Sequence, residues 1–191
     1  LIQAALTQPS RPLAELDILT TAEKQQQLVE WNDTQQDFPG ERCIHQLVEA
    51  QATQQPEVTA LVFNHQCLSY GELNQRANQL AHYLLEQGVR PDTLVGLCAD
   101  RGFEMIVGLL GILKAGGAYV PLDSSYPSDR LGHMIEDSGV GLIITQQHLI
   151  DSLPKSSAQT SYYTIALDSP AVQQQLSDYT VENIDPALIG L

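Results

Sequence analysis

The stretch Gly108–Asp123, GLLGILKAGGAYVPLD, contains an apolar run, two adjacent glycines and a second, shorter apolar run. The first run is predicted to be a helix over about 103–115. Gly116 and Gly117 are typical of the residues that end a helix, and AYV after them is predicted to be a strand. A helix that ends in glycines and leads into a core strand is half of an α/β repeat, so this stretch predicts an α/β fold.

The same glycines, with Lys114 beside them, resemble the parts of a phosphate-binding loop. In such a loop a strand ends, the glycines turn and a helix begins, so that free N–H groups meet the anion. Here the glycines follow the helix, where free carbonyls and the negative end of the dipole repel an anion. The spacing also fits neither phosphate-loop motif. We predict instead that Gly108 and Gly111 permit close packing and that Lys114 complements the helix dipole.

Strands and helices alternate around this stretch. Ser69 and Glu72 predict a capping box at the start of a helix that Gly88 ends. The other predicted elements are a helix at about 44–54, a hairpin of 58–63 with 67–69, strands at 93–99, 141–145 and 162–167, and a helix from Pro127. The fold class is therefore predicted to be α/β, with a mainly parallel sheet flanked by helices.

Residues 1–37 differ from the rest because they contain few apolar side chains. Thr20 and Glu23 predict a capping box and a helix over about 21–31, anchored by Leu28, Val29 and Trp31. Such a segment cannot form its own core, so we expect a helical linker over 1–37 and a domain over 38–191. The tail VENIDPALIGL carries no strong structural signal.

Composition excludes several classes of function. The formal net charge of −14, from 9 basic and 23 acidic residues, repels nucleic acids and anionic membranes, so neither is expected as a partner. The three cysteines lie far apart and match no zinc spacing. Buried thiols in a reducing cytoplasm fit them best, and the first residues do not resemble a signal peptide.

Polar residues follow two of the predicted strands. Asp123, Ser124 and Tyr126 come after one strand, and Asp100 and Arg101 come after another. Ligands of doubly wound sheets bind outside the carboxyl ends of strands, so these side chains could contact a ligand or, for Asp100 and Arg101, an anion. The alternative, favoured here, is helix capping and turn chemistry for the first group, and helix capping with a local ion pair for the second.

The histidines give no catalytic pattern. His45, His82 and His133 fall within predicted helices, where a lone histidine is more often a surface or core residue than a catalytic one. The chain contains no G-x-S-x-G nucleophile motif.

Several stretches together resemble the amino-acid adenylation domains of nonribosomal peptide synthetases. LSYGELNQRANQLAHYL (68–84) and LKAGGAYVPLD (113–123) resemble the first two signature motifs of that family, and YPSDRLGHMIEDSG (126–139) and CIHQLVEAQ continue the likeness. LTTAEKQQQLVEWNDT resembles the linker that joins a condensation domain to an adenylation domain. The likeness covers essentially the whole chain. One departure is Gly102, where relatives usually have serine; glycine is acceptable as an N-cap there.

The resemblance implies an enzyme that activates an amino acid with ATP and Mg and loads it on the phosphopantetheine thiol of a carrier domain. It also implies that this chain is the N-terminal part of the large adenylation subdomain, ending before the phosphate loop expected soon after IDPALIGL. We therefore expect no catalytic, cofactor-binding or metal-binding residue in it, and no activity of the chain alone. Its expected partners are a condensation domain, the remaining adenylation domain and a carrier domain.

Two alternatives stay open at this stage. The chain could belong to an aryl or fatty acyl-adenylate ligase, although the linker-like start argues against a free-standing ligase. It could also be a non-catalytic scaffold that binds a partner protein. Because uncovered sheet edges and apolar helix faces promote association, we expect the isolated chain to self-associate.

Overall fold

The computed structural model describes residues 2–10, 12, 15–16, 18–37, 40, 42–155 and 161–190. The chain divides into two compact units, residues 1–41 and 42–191. The domain boundary predicted between residues 37 and 38 stays a prediction, because residues 38, 39 and 41 lie outside the described residues.

Within its described residues, the first unit contains two short helices, α1 (Ile2–Thr7) and α2 (Thr21–Leu28), and a 3-10 turn at Glu30–Asn32. The predicted capping box is confirmed: Glu23 N donates to Thr20 Oγ1 at 3.2 Å, and Thr20 N donates to Glu23 Oε2 at 2.7 Å. The bonds that Thr20 N and Thr20 Oγ1 donate to the Glu23 carboxylate lower its pKa. The α-helix ends three residues before the predicted position, and the predicted anchors, Leu28, Val29 and Trp31, are exposed.

The second unit has six strands among its described residues. Strands β1 (Thr59–Phe63) and β2 (Gln66–Ser69) form the predicted antiparallel hairpin. The strands β3 (Leu94–Cys98), β4 (Ala118–Pro121), β5 (Leu142–Thr145) and β6 (Tyr163–Ala166) form a parallel sheet in the order β4-β3-β5-β6. The predicted fold class, a mainly parallel α/β sheet, is confirmed.

Six helices accompany these strands in the described part of the unit. They are α3 (Ile44–Gln54), α4 (Tyr70–Glu86), α5 (Phe103–Lys114), α6 (Ser128–Ser138), α7 (Pro170–Ser177) and α8 (Pro186–Ile189), with a 3-10 helix at Gln147–Ser152. The first four were predicted, with Pro127 at the N-cap of α6 rather than inside its first turn. Helices α7 and α8 and the 3-10 helix were not predicted from the sequence. No helix of the described residues is both long enough and apolar enough to cross a membrane.

Helix α4 is bounded by the signals that its sequence carries. Glu72 N donates to Ser69 Oγ at 3.2 Å and Ser69 N donates to Glu72 Oε2 at 2.9 Å, which confirms the capping box. At the other end Gly88 has a φ of +89°, and Val89 N donates to the carbonyl of Leu84 at 3.0 Å. This is the Schellman arrangement predicted for a glycine just after a helix.

The parallel sheet is buried on both faces. Along β3, Val95 and Leu97 lie in the core that includes α4 and α5, whereas Cys98 lies in a second core with α6. Along β5, Ile144 and Ile143 divide between the same two cores. Because side chains alternate across a strand, α4 and α5 cover one face and α6 covers the other. The arrangement is therefore doubly wound.

Candidate functional site

The glycine pair at the end of α5 is a helix stop. Gly116 has a φ of +81°, a conformation that favours glycine. Its N–H donates to the carbonyl of Leu113 at 3.1 Å, and Gly117 N donates to the carbonyl of Ile112 at 2.9 Å. Both N–H groups are therefore occupied within the helix end, and neither can bind a phosphate. The predicted order of helix, glycine stop and strand is confirmed.

Lys114 does more than complement a dipole. It is 1% exposed, and its ammonium pairs with Glu49 on α3. Burial lowers the pKa of Lys114 against the opposing effect of Glu49. His45, one turn earlier on α3, is also buried, and burial lowers its pKa too. The ion pair of Lys114 with Glu49 connects α3 to the end of α5, and Lys114 and His45 are buried. These residues therefore stabilise the packing of the two helices and present no ligand site.

The carboxyl edge of the parallel sheet has the geometry of a ligand crevice. From β3 the chain crosses to β4 on one side, and from β4 it returns past β3 to β5 on the other side. The topological switch point therefore lies between the ends of β3 and β5. In open α/β sheets this is the position at which ligands bind.

Asp100 lies at the centre of the contacts at this switch point. Its Oδ2 is 2.8 Å from Nε2 of His148, and its Oδ1 is 3.4 Å from Oγ of Ser124, which donates. Its own N–H donates to Oε1 of Gln146 at 2.8 Å. Residues that follow β3, β4 and β5 are thus joined through a single aspartate.

A second set of bonds orders the loops on either side. Asp123 accepts from Ser125 N at 2.9 Å, and hydrogen bonding by Ser125 lowers the pKa of the Asp123 carboxyl. Arg130 stacks over the ring of Tyr126, with its guanidinium carbon 3.8 Å from the ring centroid. Beyond β5, Gln147 N donates to Oδ1 of Asp168 at 2.6 Å. These contacts fix loop shape by turn chemistry, as predicted for the loop after β4.

The arrangement around Asp100 is unsuited to nucleophilic catalysis. In a serine–histidine–aspartate triad the hydroxyl bonds to the histidine, whereas Ser124 bonds to Asp100. His148 and Asp100 are also about half exposed, at 55% and 54% of their side-chain area. Among the described residues, no group of three or more His, Cys, Asp or Glu side chains is arranged to hold a metal ion. The cluster can donate and accept hydrogen bonds at an open edge of the sheet.

The structure brings some of the predicted residues together. Asp100 and Ser124, 24 positions apart, are in contact, whereas Arg101 and Tyr126 do not join them. The prediction that Asp100 caps the next helix and forms a local ion pair is wrong. The N-cap of α5 is Gly102, which makes no side-chain bond, and the side-chain partner of Asp100 after β5 is the distant His148.

Two residues of the cluster were missed. Gln146 and His148 follow directly after β5. The signal that could have identified them is their position just after the buried run GLIIT, because parallel strands bring their carboxyl ends to one edge. The three histidines singled out in the sequence lie away from this edge of the sheet. His45 is buried on α3, His82 on α4 lies within hydrogen-bond distance of the carbonyl of Glu182, and His133 is exposed on α6.

Comparison with known proteins identifies relatives of the chain. Residues 48–187 match the family described as AMP-binding enzyme. The chain is 44% identical over 188 residues to a linear gramicidin synthase of Brevibacillus parabrevis, a match that covers 98% of this chain and 2% of that protein. It is 51% identical over 135 residues to bacitracin synthase 3 of Bacillus licheniformis, a match that covers 71% of this chain and 2% of that protein. The chain thus spans a very small part of these relatives.

Solved structures give the same picture. A nonribosomal peptide synthetase, FmoA3 in its AMPPNP-bound form, matches with a TM-score of 0.69 and 32% identity over 82% of this chain and 16% of that chain. The N-terminal subdomain of NpsA from Klebsiella oxytoca matches with a TM-score of 0.61 over 75% of this chain and 34% of that chain. Its identity of 18% makes it a likeness of fold alone.

Proposed function

The chain belongs to the family of AMP-binding enzymes, and we propose that it forms the opening part of an amino-acid adenylation domain in a nonribosomal peptide synthetase. The observation that carries this proposal is the extent of the similarity to the linear gramicidin synthase of Brevibacillus parabrevis, which covers 98% of the chain and so includes the leading segment. That segment resembles the linker of a multidomain synthetase. It therefore favours such a parent over a free-standing aryl or fatty acyl ligase.

In the proposed reaction, a carboxylate oxygen of the amino acid attacks the α-phosphorus of ATP and pyrophosphate leaves. The thiol of a carrier phosphopantetheine then attacks the acyl carbon, AMP leaves, and a thioester remains. Mg²⁺ would accompany the nucleotide. These steps belong to the parent protein.

The described residues offer neither a free glycine loop for the phosphates of ATP nor a cluster of side chains for Mg²⁺. Both N–H groups of its glycine pair are bonded within the end of α5, and the described residues hold no cluster of three metal-ligating side chains. We therefore derive no step of the reaction from these residues. The chain supplies the frame on which later segments of the domain build the nucleotide site.

We further propose that residues 1–37 are the linker to a condensation domain and residues 38–191 the start of the adenylation domain. The remaining adenylation domain and a carrier domain would be the other partners, and the cytoplasm the location. The acidic net charge of −14 supports the absence of nucleic acid and anionic membrane as partners.

Pyrophosphate exchange tests the proposed function. A synthetase module that contains this chain should exchange labelled pyrophosphate into ATP when one amino acid of a panel that includes non-proteinogenic members is added, and not with aryl or fatty acids. The isolated chain should give no exchange with any acid. Exchange that depends only on an aryl or fatty acid would replace the proposal with the acyl ligase alternative. A module without exchange on any acid would favour a partner-binding scaffold.

A further inference from the structure

Helix α4 carries a row of polar side chains on the face turned away from the sheet. We call this the polar row; its members are Asn74, Asn78, Gln79, His82 and Glu86. Four of the five are spaced by four residues, so they lie along one side of the helix. The core residues of α4, such as Leu80 and Leu84, occupy its opposite side.

The polar row holds an extended segment between α7 and α8. We call residues 179–184 the strap. Asn78 Nδ2 donates to the main-chain carbonyl of Val181 at 2.6 Å and to Oδ1 of Asn183 at 2.9 Å. His82 Nε2 lies 3.1 Å from the carbonyl of Glu182.

The ends of the strap are held by the same row. Asn74 Nδ2 donates to Oδ1 of Asn183 at 2.9 Å, and the hydroxyl of Tyr179 donates to Glu86 at 2.5 Å. Three of the five row members bond to main-chain carbonyls, counting Gln79 to the carbonyl of Tyr179 at 3.4 Å. A hydrogen bond to a main-chain carbonyl depends on where the backbone lies and not on which side chain the residue carries. The polar row therefore fixes the position of the strap.

Apolar contacts also hold the strap against α4 and the core, separately from these hydrogen bonds. The rings of Tyr83 and Tyr179 meet edge to face with centroids 5.6 Å apart, and Ile184 is buried in the core. Apolar burial is non-directional and tolerates sliding. Directional bonds from a buried amide do not, and Asn78 is 0% exposed. Its burial also shields those bonds from competing water.

We propose that Asn78 is a positioning residue that fixes the place at which the polypeptide leaves this part of the domain. The inference rests on the proposed function, in which the nucleotide-binding loop follows the strap. Asn78 touches no nucleotide in this arrangement. It acts through the strap, by holding the segment that carries the later loop to one register on α4.

Cleavage within the strap tests the first half of the inference on the chain itself. Asn78→Leu keeps the branching of the side chain and removes both bonds, and His82→Ala removes one bond at a less buried position. Loss of a buried hydrogen bond should raise the open fraction of the strap about five- to thirty-fold. A glutamate-specific protease should cut after Glu182 faster by that factor in Asn78→Leu, because cleavage tracks the open population when reclosing is fast.

The control is Gln75→Ala, an exposed position on the same helix whose side chain makes no hydrogen bond to the described residues of the strap. It should leave the cleavage rate unchanged. Far-UV circular dichroism confirms that each variant is folded, and His82→Ala carries the test if Asn78→Leu does not fold. Unchanged cleavage in folded Asn78→Leu, or in folded His82→Ala where Asn78→Leu does not fold, overturns the inference.

Steady-state pyrophosphate exchange in the synthetase module tests the second part of the inference, namely that the position of the strap affects the nucleotide-binding loop. Asn78→Leu and His82→Ala should raise the KM for ATP about five- to thirty-fold and about two- to fivefold respectively, with Gln75→Ala unchanged. A purely structural loss would lower the amount of active enzyme and so reduce kcat at constant KM. An unchanged KM in a module that exchanges pyrophosphate overturns the positioning role while the proposed function stands. No exchange in the unsubstituted module means instead that the proposed function has failed, and the positioning role with it.

Discussion

Replacing Gly111 with alanine adds a methyl group at the closest approach of α5 to α4. A Cβ at this position would lie 2.6 Å from Cδ2, 2.7 Å from Cγ and 3.1 Å from Cβ of Leu80. Carbon atoms in contact normally lie about 3.5–4.0 Å apart. Leu80 is 0% exposed and cannot swing into solvent. The two helices must therefore separate, or Leu80 must leave its rotamer.

Two opposing effects set the size of the change. Overpacking of a core costs about 1–3 kcal/mol. Alanine in place of a helical glycine returns about 1 kcal/mol through helix propensity. Because the clash reaches Cβ of Leu80, which moves only with the backbone of α4, the upper part of the overpacking range applies. The expected net loss in the free energy of unfolding is about 1–2 kcal/mol.

Gly132→Ala in α6 is the matched control. A Cβ there meets only Pro154, at 3.8 and 4.0 Å, which is ordinary contact. This variant keeps the propensity gain without a clash and should be more stable by about 0.5–1 kcal/mol. Urea unfolding followed by far-UV circular dichroism measures the free energy of unfolding of both variants, which can be compared when their m-values are equal. If Gly111→Ala is stabilised as much as Gly132→Ala, the close packing of α4 on α5 is refuted.

The remaining predictions concern caps and ionisable groups. Glu49→Gln leaves the buried Lys114 ammonium without a counter-charge and should cost about 3–5 kcal/mol in urea unfolding. Burial lowers the pKa of Lys114 below its ordinary 10.5, so the unfolded chain binds this proton more strongly. Stability should therefore rise with pH between the lowered pKa and 10.5, and Lys114→Met should remove this part of the slope. Ser69→Ala should cost about 1 kcal/mol and Ser69→Asp should retain the cap, by the same unfolding assay. The hydrogen bond to Glu86 raises the pKa of Tyr179 to about 12, and Glu86→Gln should return it toward 10 in an NMR titration of the ring.

Local chemistry explains which parts of the fold were predictable. The stop at Gly116 and the capping box of Ser69 with Glu72 depend on residues within a few positions of each other. The buried strand 141–145 depends on a run of apolar residues. Each of these signals is complete within its own segment, so the sequence predicts the elements and their direction closely.

Partners across the fold were not predictable in the same way. Lys114 and Glu49 are 65 positions apart, and Asp100 and His148 are 48 apart. A single sequence indicates that each residue is charged or polar, but it does not indicate which distant residue satisfies it. For this reason Lys114 was assigned to a helix dipole and Asp100 to a local cap.

The strap was missed for a different physical reason. Three of its bonds to α4 are made by its own carbonyls, for example those of Val181 and Glu182, and every residue has a carbonyl. An extended segment held in this way needs no periodic pattern of side chains. The sequence signal for the strap lies instead on α4, where Asn78 is a polar residue at a buried position.

The stretch 108–123 and the polar row act on opposite sides of one helix. Gly111 lets α5 approach Leu80 of α4 closely, and two positions before Leu80 the amide of Asn78 holds the strap. A helix whose position is fixed by core packing on one side can hold a segment in a defined position on its other side. Gly111 therefore contributes to nucleotide chemistry, on the proposed function, only at a distance: its close approach to Leu80 sets the position of α4, and α4 sets the path of the chain that follows.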